Sequence, residues 1–131
     1  MTSLVPDDAE LVLHIGGPKT GSSAIQRNFC LHAAELRAAG ILYPEHPLDR
    51  NGISGGHGEL FALLTGSQPA SARRALAGHL AAARRDGCRL VLSAEGIFSQ
   101  AARVCAALPT RSLHVVCLVR HPLDEIGRAH V

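Results

Sequence analysis

The chain has 131 residues, 47% of them hydrophobic, and carries 13 Lys and Arg against 11 Asp and Glu. This size and composition predict one soluble domain with its own core, and the balanced charge argues against a general nucleic-acid-binding protein. Residues 1–10 show no signal-peptide pattern, and no segment has the roughly 18 apolar residues of a membrane helix, so we expect a cytoplasmic protein. The four cysteines are far apart in sequence, and we expect them to be reduced and structural.

The first predicted elements are a strand, a tight turn and a helix. Residues 11–15 form an apolar run typical of a buried strand, and turn residues follow at once. Between Ser22 and Gly40 apolar residues recur at helical spacing, which predicts one helix. Its expected inner face consists of Ile25, Phe29, Ala33 and Leu36.

The middle of the chain predicts a long loop between short elements. Residues 41–44 are expected to be extended, and residues 45–58, with four glycines, to form a loop of the length that often has a function. A short helix over 59–64 and a long one from about 69 to 86 follow. The long helix is expected to bury Leu76, Leu80 and Ala83 and to expose Arg73, Arg74, Arg84 and Arg85.

The last predicted elements are strands over 90–93 and 113–119, with a short helix over 100–108 between them. Strands that are apolar almost throughout and alternate with helices indicate a parallel sheet that is covered on both faces. The predicted fold is therefore α/β, with three layers and a mostly parallel sheet flanked by helices.

The turn after the first strand, residues 16–23, has the composition of an anion-binding loop. Its glycines let backbone N–H groups approach a phosphate, and the start of the following helix attracts negative charge. Lys19 adds a positive charge, and hydroxyl groups follow it. In a nucleoside-triphosphate P-loop the Lys follows the second glycine, whereas Lys19 precedes Gly21. The usual NTPase geometry is therefore not expected here.

Two stretches resemble one protein family. Residues 13–23 are similar to the 5′-phosphosulfate-binding loop of sulfotransferases that use 3′-phosphoadenosine 5′-phosphosulfate (PAPS), especially bacterial members with the pattern H-I-G-x-x-K-T-G-[ST]-[ST]. Residues 115–124 resemble the strand and turn that open the family's 3′-phosphate-binding motif, in which an Arg follows an apolar strand. The resemblance implies a P-loop-like sulfotransferase fold and transfer of a sulfuryl group from PAPS to a hydroxyl or amine, on a small-molecule, carbohydrate or lipid acceptor.

The resemblance also implies roles for individual residues. Lys19 would contact the bridging oxygen and the sulfonate, and Arg120 would bind the 3′-phosphate with its planar set of donors. The loop from Thr20 to Ser23 would hold the 5′-phosphate. The implied PAPS-binding residues are Gly17, Pro18, Lys19, Thr20, Gly21, Ser22, Ser23 and Arg120.

The end of the chain departs from the family pattern. A Ser is expected eight positions after Arg120, and Arg128 stands there. Residues 125–131 resemble the translation of a sequencing-adapter oligonucleotide, and the rival interpretation is an ordinary native tail. On the first interpretation, residues 1–124 are the amino-terminal part of a single sulfotransferase domain that is incomplete at its C-terminus.

Two residues are candidates for the base that deprotonates the acceptor, and His57 is the preferred one. His57 lies in a glycine-rich loop and has an ordinary pKa near neutrality, but an exposed loop histidine without a function is an equal alternative. Glu95 follows the predicted strand over 90–93 at the expected ligand-binding edge, where it is either a base, an acceptor-orienting group or a helix-capping residue. No histidine or cysteine spacing predicts a metal site.

Two other functions remain open on the sequence alone. A small P-loop kinase has the same strand, loop and helix, although the order of Gly and Lys argues against it. The other is a nucleotide-binding fragment without catalytic activity.

Overall fold

The computed structural model describes residues 9–16, 22–46, 56–65, 69–94, 100–108, 110 and 112–118. The described elements are, in chain order, β1 (Leu11–Gly16), α1 (Ser22–Leu31), α2 (Ala33–Ala38), β2 (Ile41–Leu42), α3 (Gly58–Thr65), α4 (Pro69–Arg85), β3 (Arg89–Ala94), α5 (Ala101–Ala107) and β4 (Leu113–Leu118). No helix in this described part is long and apolar enough to cross a membrane.

The strands form one parallel sheet in the order β2-β3-β1-β4. The central strand β1 pairs with β3 from Leu11↔Leu90 to Ile15↔Ala94, and with β4 from Leu11↔Leu113 to Gly16↔Leu118. The predicted α/β architecture with a parallel sheet is therefore confirmed.

Helices pack on both faces of this sheet. One face, here called the α4 face, buries Leu13 of β1 and Leu92 of β3 against Leu76 and Leu80 of α4. Helices α3 and α5 contribute Leu60 and Val104 to the same cluster. The opposite face, here called the α1 face, buries Val12 and Val91, with Phe29 and Leu36 of α1 and α2 packed against them. Alternate residues of each strand thus pack against helices on opposite faces of the sheet.

Two local expectations are corrected by the structure. The helix predicted from Ser22 to Gly40 is divided at His32, whose φ and ψ of −112° and 26° are not helical. The His32 N–H donates to the Asn28 carbonyl and the Leu36 N–H donates to the His32 carbonyl, so helical hydrogen bonding continues across the break. Strand β4 is less covered than its apolar sequence predicts, because Val115 and Cys117 are exposed.

Candidate functional site

Three strands end side by side at one edge of the sheet. Ile15 of β1 is level with Ala94 of β3, and Gly16 is level with Leu118 of β4. The chain therefore leaves these strands toward Lys19, Glu95 and Arg120 from adjacent positions, with β1 in the middle. These three residues themselves lie outside the described residues, as does the predicted tail 125–131.

The connections after β1 and β3 run to opposite faces of the sheet. After β1 the chain enters α1, which packs on the α1 face, and after β3 it enters α5, which packs on the α4 face. Adjacent parallel strands whose connections diverge leave a crevice at their carboxyl ends, and ligands of open α/β sheets bind in such crevices.

The predicted anion loop occupies the short connection between β1 and α1. The strand ends at Gly16 and the helical backbone starts at Ser22, which leaves residues 17–21 as the connection. Gly17, Pro18, Lys19, Thr20 and Gly21 lie outside the described residues, and only the helical backbone of Ser22 and Ser23 is described. The first turn of any α-helix carries backbone N–H groups without helical acceptors, so α1 presents these donors beside the loop.

A buried polar cluster lies on the α1 face just below this edge. His14 of β1 and Ser93 of β3 are neighbours in the sheet, and His14 Nδ1 lies 2.7 Å from Ser93 Oγ. Gln26 of α1, which is fully buried, donates from Nε2 to the same oxygen over 3.0 Å. The Ser93 hydroxyl thus joins both central strands to the helix that follows the predicted anion loop.

His57 is held at the outer edge of β3 and is 1% exposed. Its backbone N–H donates to the Ser93 carbonyl over 2.8 Å, and Ser93 N–H donates to His57 Nδ1 over 3.0 Å. Because Nδ1 accepts this bond, the ring proton is on Nε2, which donates to the Pro44 carbonyl over 2.7 Å. An exposed loop position was the alternative for His57, and the burial of the ring rules it out.

This geometry favours a positioning role for His57 over the proton-transfer role suggested by the sequence. Both ring nitrogens are already hydrogen-bonded, so the ring would have to give up a bond to Ser93 or Pro44 before it accepted a proton. Burial also lowers the pKa of His57, which disfavours the protonated form.

Two further rings pack around His57. Tyr43 and His46 have ring centroids 4.8 Å and 4.9 Å from that of His57, both edge to face. The Tyr43 hydroxyl lies 2.9 Å from His46 Nε2, and burial raises the pKa of this phenol well above its ordinary value. The three rings form a buried block that joins residues 43–46 to residues 56–58.

A large cavity lies on the α1 face of the described part of the chain. Its volume is about 820 Å³, and its lining is mainly apolar, with Val12, Phe29, Val91 and Val116 among the lining residues. An apolar lining does not suit a ligand with several phosphate charges. This cavity is therefore not a candidate site for such a ligand.

The buried polar cluster of Ser93, His14 and Gln26 was not predicted from the sequence. The available signal was the position of His14 and Ser93, which are polar residues inside otherwise apolar strands. Gln26 gave no signal, because a glutamine on a helix is ordinarily exposed.

Among the described residues no group of His, Cys, Asp and Glu is arranged to hold a metal ion.

The buried state of His57 leads to a prediction on stability. Its pKa in the folded protein is below the ordinary 6.5, mainly through burial, while His46 lowers it and Glu59 raises it. The unfolded chain therefore takes up this proton first as the pH falls. The contribution of neutral His57 to the free energy of unfolding is complete above pH 6.5 and is lost as the pH falls from there toward the folded pKa.

We expect urea unfolding to show less pH dependence between pH 7.5 and 5.5 in His57→Asn than in the unmodified protein, by up to about 1.4 kcal/mol per pH unit. His32→Asn is the matched control, because the His32 side chain is 62% exposed. Equal pH dependence in the unmodified protein and His57→Asn would show that His57 titrates normally in the folded state.

Comparison with known proteins gives no relative, since no protein-family model, curated protein or solved structure matches the chain.

Proposed function

We propose that this chain forms the PAPS-binding part of an enzyme that transfers a sulfuryl group from PAPS to a hydroxyl or amine acceptor. The observation that carries the proposal is that β1 ends between β3 and β4 and is followed, before α1, by a short segment whose sequence resembles a 5′-phosphosulfate loop. A glycine-rich turn at a helix start is suited to a phosphate. The fold that we propose for the complete domain is the P-loop-like sulfotransferase fold.

The reaction breaks the bond between the sulfonate sulfur and the oxygen that bridges it to the 5′-phosphate. The sulfur forms a new bond to the acceptor oxygen or nitrogen, and adenosine 3′,5′-bisphosphate leaves with the bridging oxygen. Negative charge develops on that oxygen, and Lys19 is assigned to stabilise it. Arg120 is assigned to the 3′-phosphate. Both residues follow strands that end next to each other at Gly16 and Leu118.

The acceptor loses a proton when the new bond forms, and Glu95 is the preferred base. It comes directly after Ala94, the last residue of β3. His57 is the second candidate, and it is disfavoured because Ser93 and Pro44 occupy both of its ring nitrogens. A carboxylate base acts on an acceptor within hydrogen-bonding reach, either directly or through one water.

The test is transfer of ³⁵S from labelled PAPS by the complete gene product, with a pooled extract of small hydroxyl and amine compounds as the acceptor mixture. We expect label in new products and release of adenosine 3′,5′-bisphosphate in equal amounts. A folded protein that leaves PAPS unchanged with this mixture, and also releases no sulfate to water, would refute the proposal.

A further inference from the structure

The carboxyl end of β3 is held from two directions. On the outer side, β2 pairs with β3 only at Arg89 and Leu90, so Ser93 lies beyond the reach of that strand. His57 supplies the hydrogen bonds there. Its backbone N–H donates to the Ser93 carbonyl, and its ring nitrogen Nδ1 accepts from the Ser93 N–H. The imidazole therefore stands where a neighbouring strand would supply a carbonyl oxygen.

On the inner side, Ser93 is held through its hydroxyl. Gln26 and His14 both lie within hydrogen-bonding distance of that oxygen, at 3.0 Å and 2.7 Å. Gln26 is in the helix that begins directly after the predicted anion loop. The main chain of Ser93 thus depends on His57, and its side chain depends on α1 and β1.

We propose that His57 is a positioning residue for the acceptor side of the site: as a neutral ring protonated on Nε2, it fixes the end of β3 from which Glu95 follows. This inference rests on the proposed function. A proton on Nδ1 would place an N–H group against the N–H of Ser93, so only the neutral ring makes this arrangement. His46, Tyr43 and Glu59 are the titratable groups that face or influence the ring.

Three variants separate the two bonds of the ring. His57→Asn keeps an acceptor near the position of Nδ1 and loses the donor to Pro44, whereas His57→Gln keeps a donor near the position of Nε2. His57→Ala loses both. His32→Asn is again the control. The measurements are kcat and KM for PAPS, followed as sulfate released to water, together with the acid limb of the pH–rate profile.

We expect His57→Asn to keep kcat within about fivefold of the unmodified protein, with the acid limb in the same place. His57→Ala should lose about tenfold or more in kcat with little change in KM for PAPS, because the acceptor side is displaced and the nucleotide loop is not. His57→Gln should fall between them. A loss of kcat that is equal in Asn and Ala, with the acid limb gone, would make His57 the base and overturn the inference. Unchanged kinetics in all three variants would also overturn it.

Nitrogen NMR of the histidine rings gives a readout that does not depend on activity. We expect the His57 ring to show a protonated Nε2 and an unprotonated Nδ1 at pH 7.5, and the Ser93 amide to exchange faster in His57→Ala. A protein that neither binds adenosine 3′,5′-bisphosphate nor releases sulfate would refute the proposed function, and the NMR result would then decide the arrangement at Ser93 alone. A proton on Nδ1 would overturn the inference whatever the activity.

Discussion

Replacing Lys19 by alanine is expected to lower sulfuryl transfer by about 100-fold to 1000-fold, the loss that follows removal of one group stabilising a developing oxyanion. Lys19 is the cation assigned to the bridging oxygen, where negative charge grows as the sulfur bond breaks. Lys19→Arg should recover little, because a planar guanidinium does not place a compact charge at the same point. Label transferred from ³⁵S-PAPS by the complete gene product measures both variants.

The matched control is Arg74→Ala, which removes one positive charge from the exposed side of α4. We expect its transfer rate to stay within twofold of the unmodified protein. Transfer by Lys19→Ala at the rate of this control would exclude the role assigned to Lys19. The loop would then have no assigned role in the reaction.

Replacing Gly56 by alanine is expected to destabilise the fold by about 3 kcal/mol or more, as the sum of overpacking and backbone strain. A Cβ at this position would lie 2.1 Å from the Ser93 carbonyl oxygen and 2.9 Å from Ala94 Cα, both of them backbone atoms of β3. The φ of Gly56 is +97°, a conformation that residues with a side chain rarely adopt. Relief of either problem would break the contact between His57 and Ser93.

Gly78→Ala is the control for this variant. Gly78 lies inside α4, and a Cβ there would meet no atom within 4 Å. We expect Gly78→Ala to raise the free energy of unfolding by about 0.5–1 kcal/mol, because alanine is the better helix former. Urea unfolding of both variants gives the comparison, and a Gly56→Ala protein as stable as the parent would contradict the close approach to β3.

Local sequence pattern was sufficient for most of the elements. The apolar run at residues 11–15 and the spacing of Leu76, Leu80 and Ala83 predicted β1 and the buried face of α4, and both are confirmed. The division of the first helix at His32 was not predicted, because no Gly or Pro marks it.

Long-range pairing accounts for what the sequence could not show. His57 is buried where its ring accepts a hydrogen bond from the Ser93 N–H, beyond the end of β2. The two residues are 36 positions apart in the chain, so no local pattern indicates this bond. The strand order that places β1 between β3 and β4 is also set by such pairing. The prediction that Lys19, Glu95 and Arg120 meet in one site stays a prediction, since only the strands that lead to them are described.

Binding of adenosine 3′,5′-bisphosphate in the presence of a metal chelator tests the central claim most directly. Titration calorimetry should show one site per chain, competition by PAPS, and at least tenfold weaker binding in Lys19→Ala than in Arg74→Ala. We expect no binding of ATP with Mg²⁺ at the same site, because the loop lacks the Gly-Lys-[ST] order of an NTPase. Binding of ATP that requires Mg²⁺, with none of the bisphosphate, would contradict the assignment and favour a kinase.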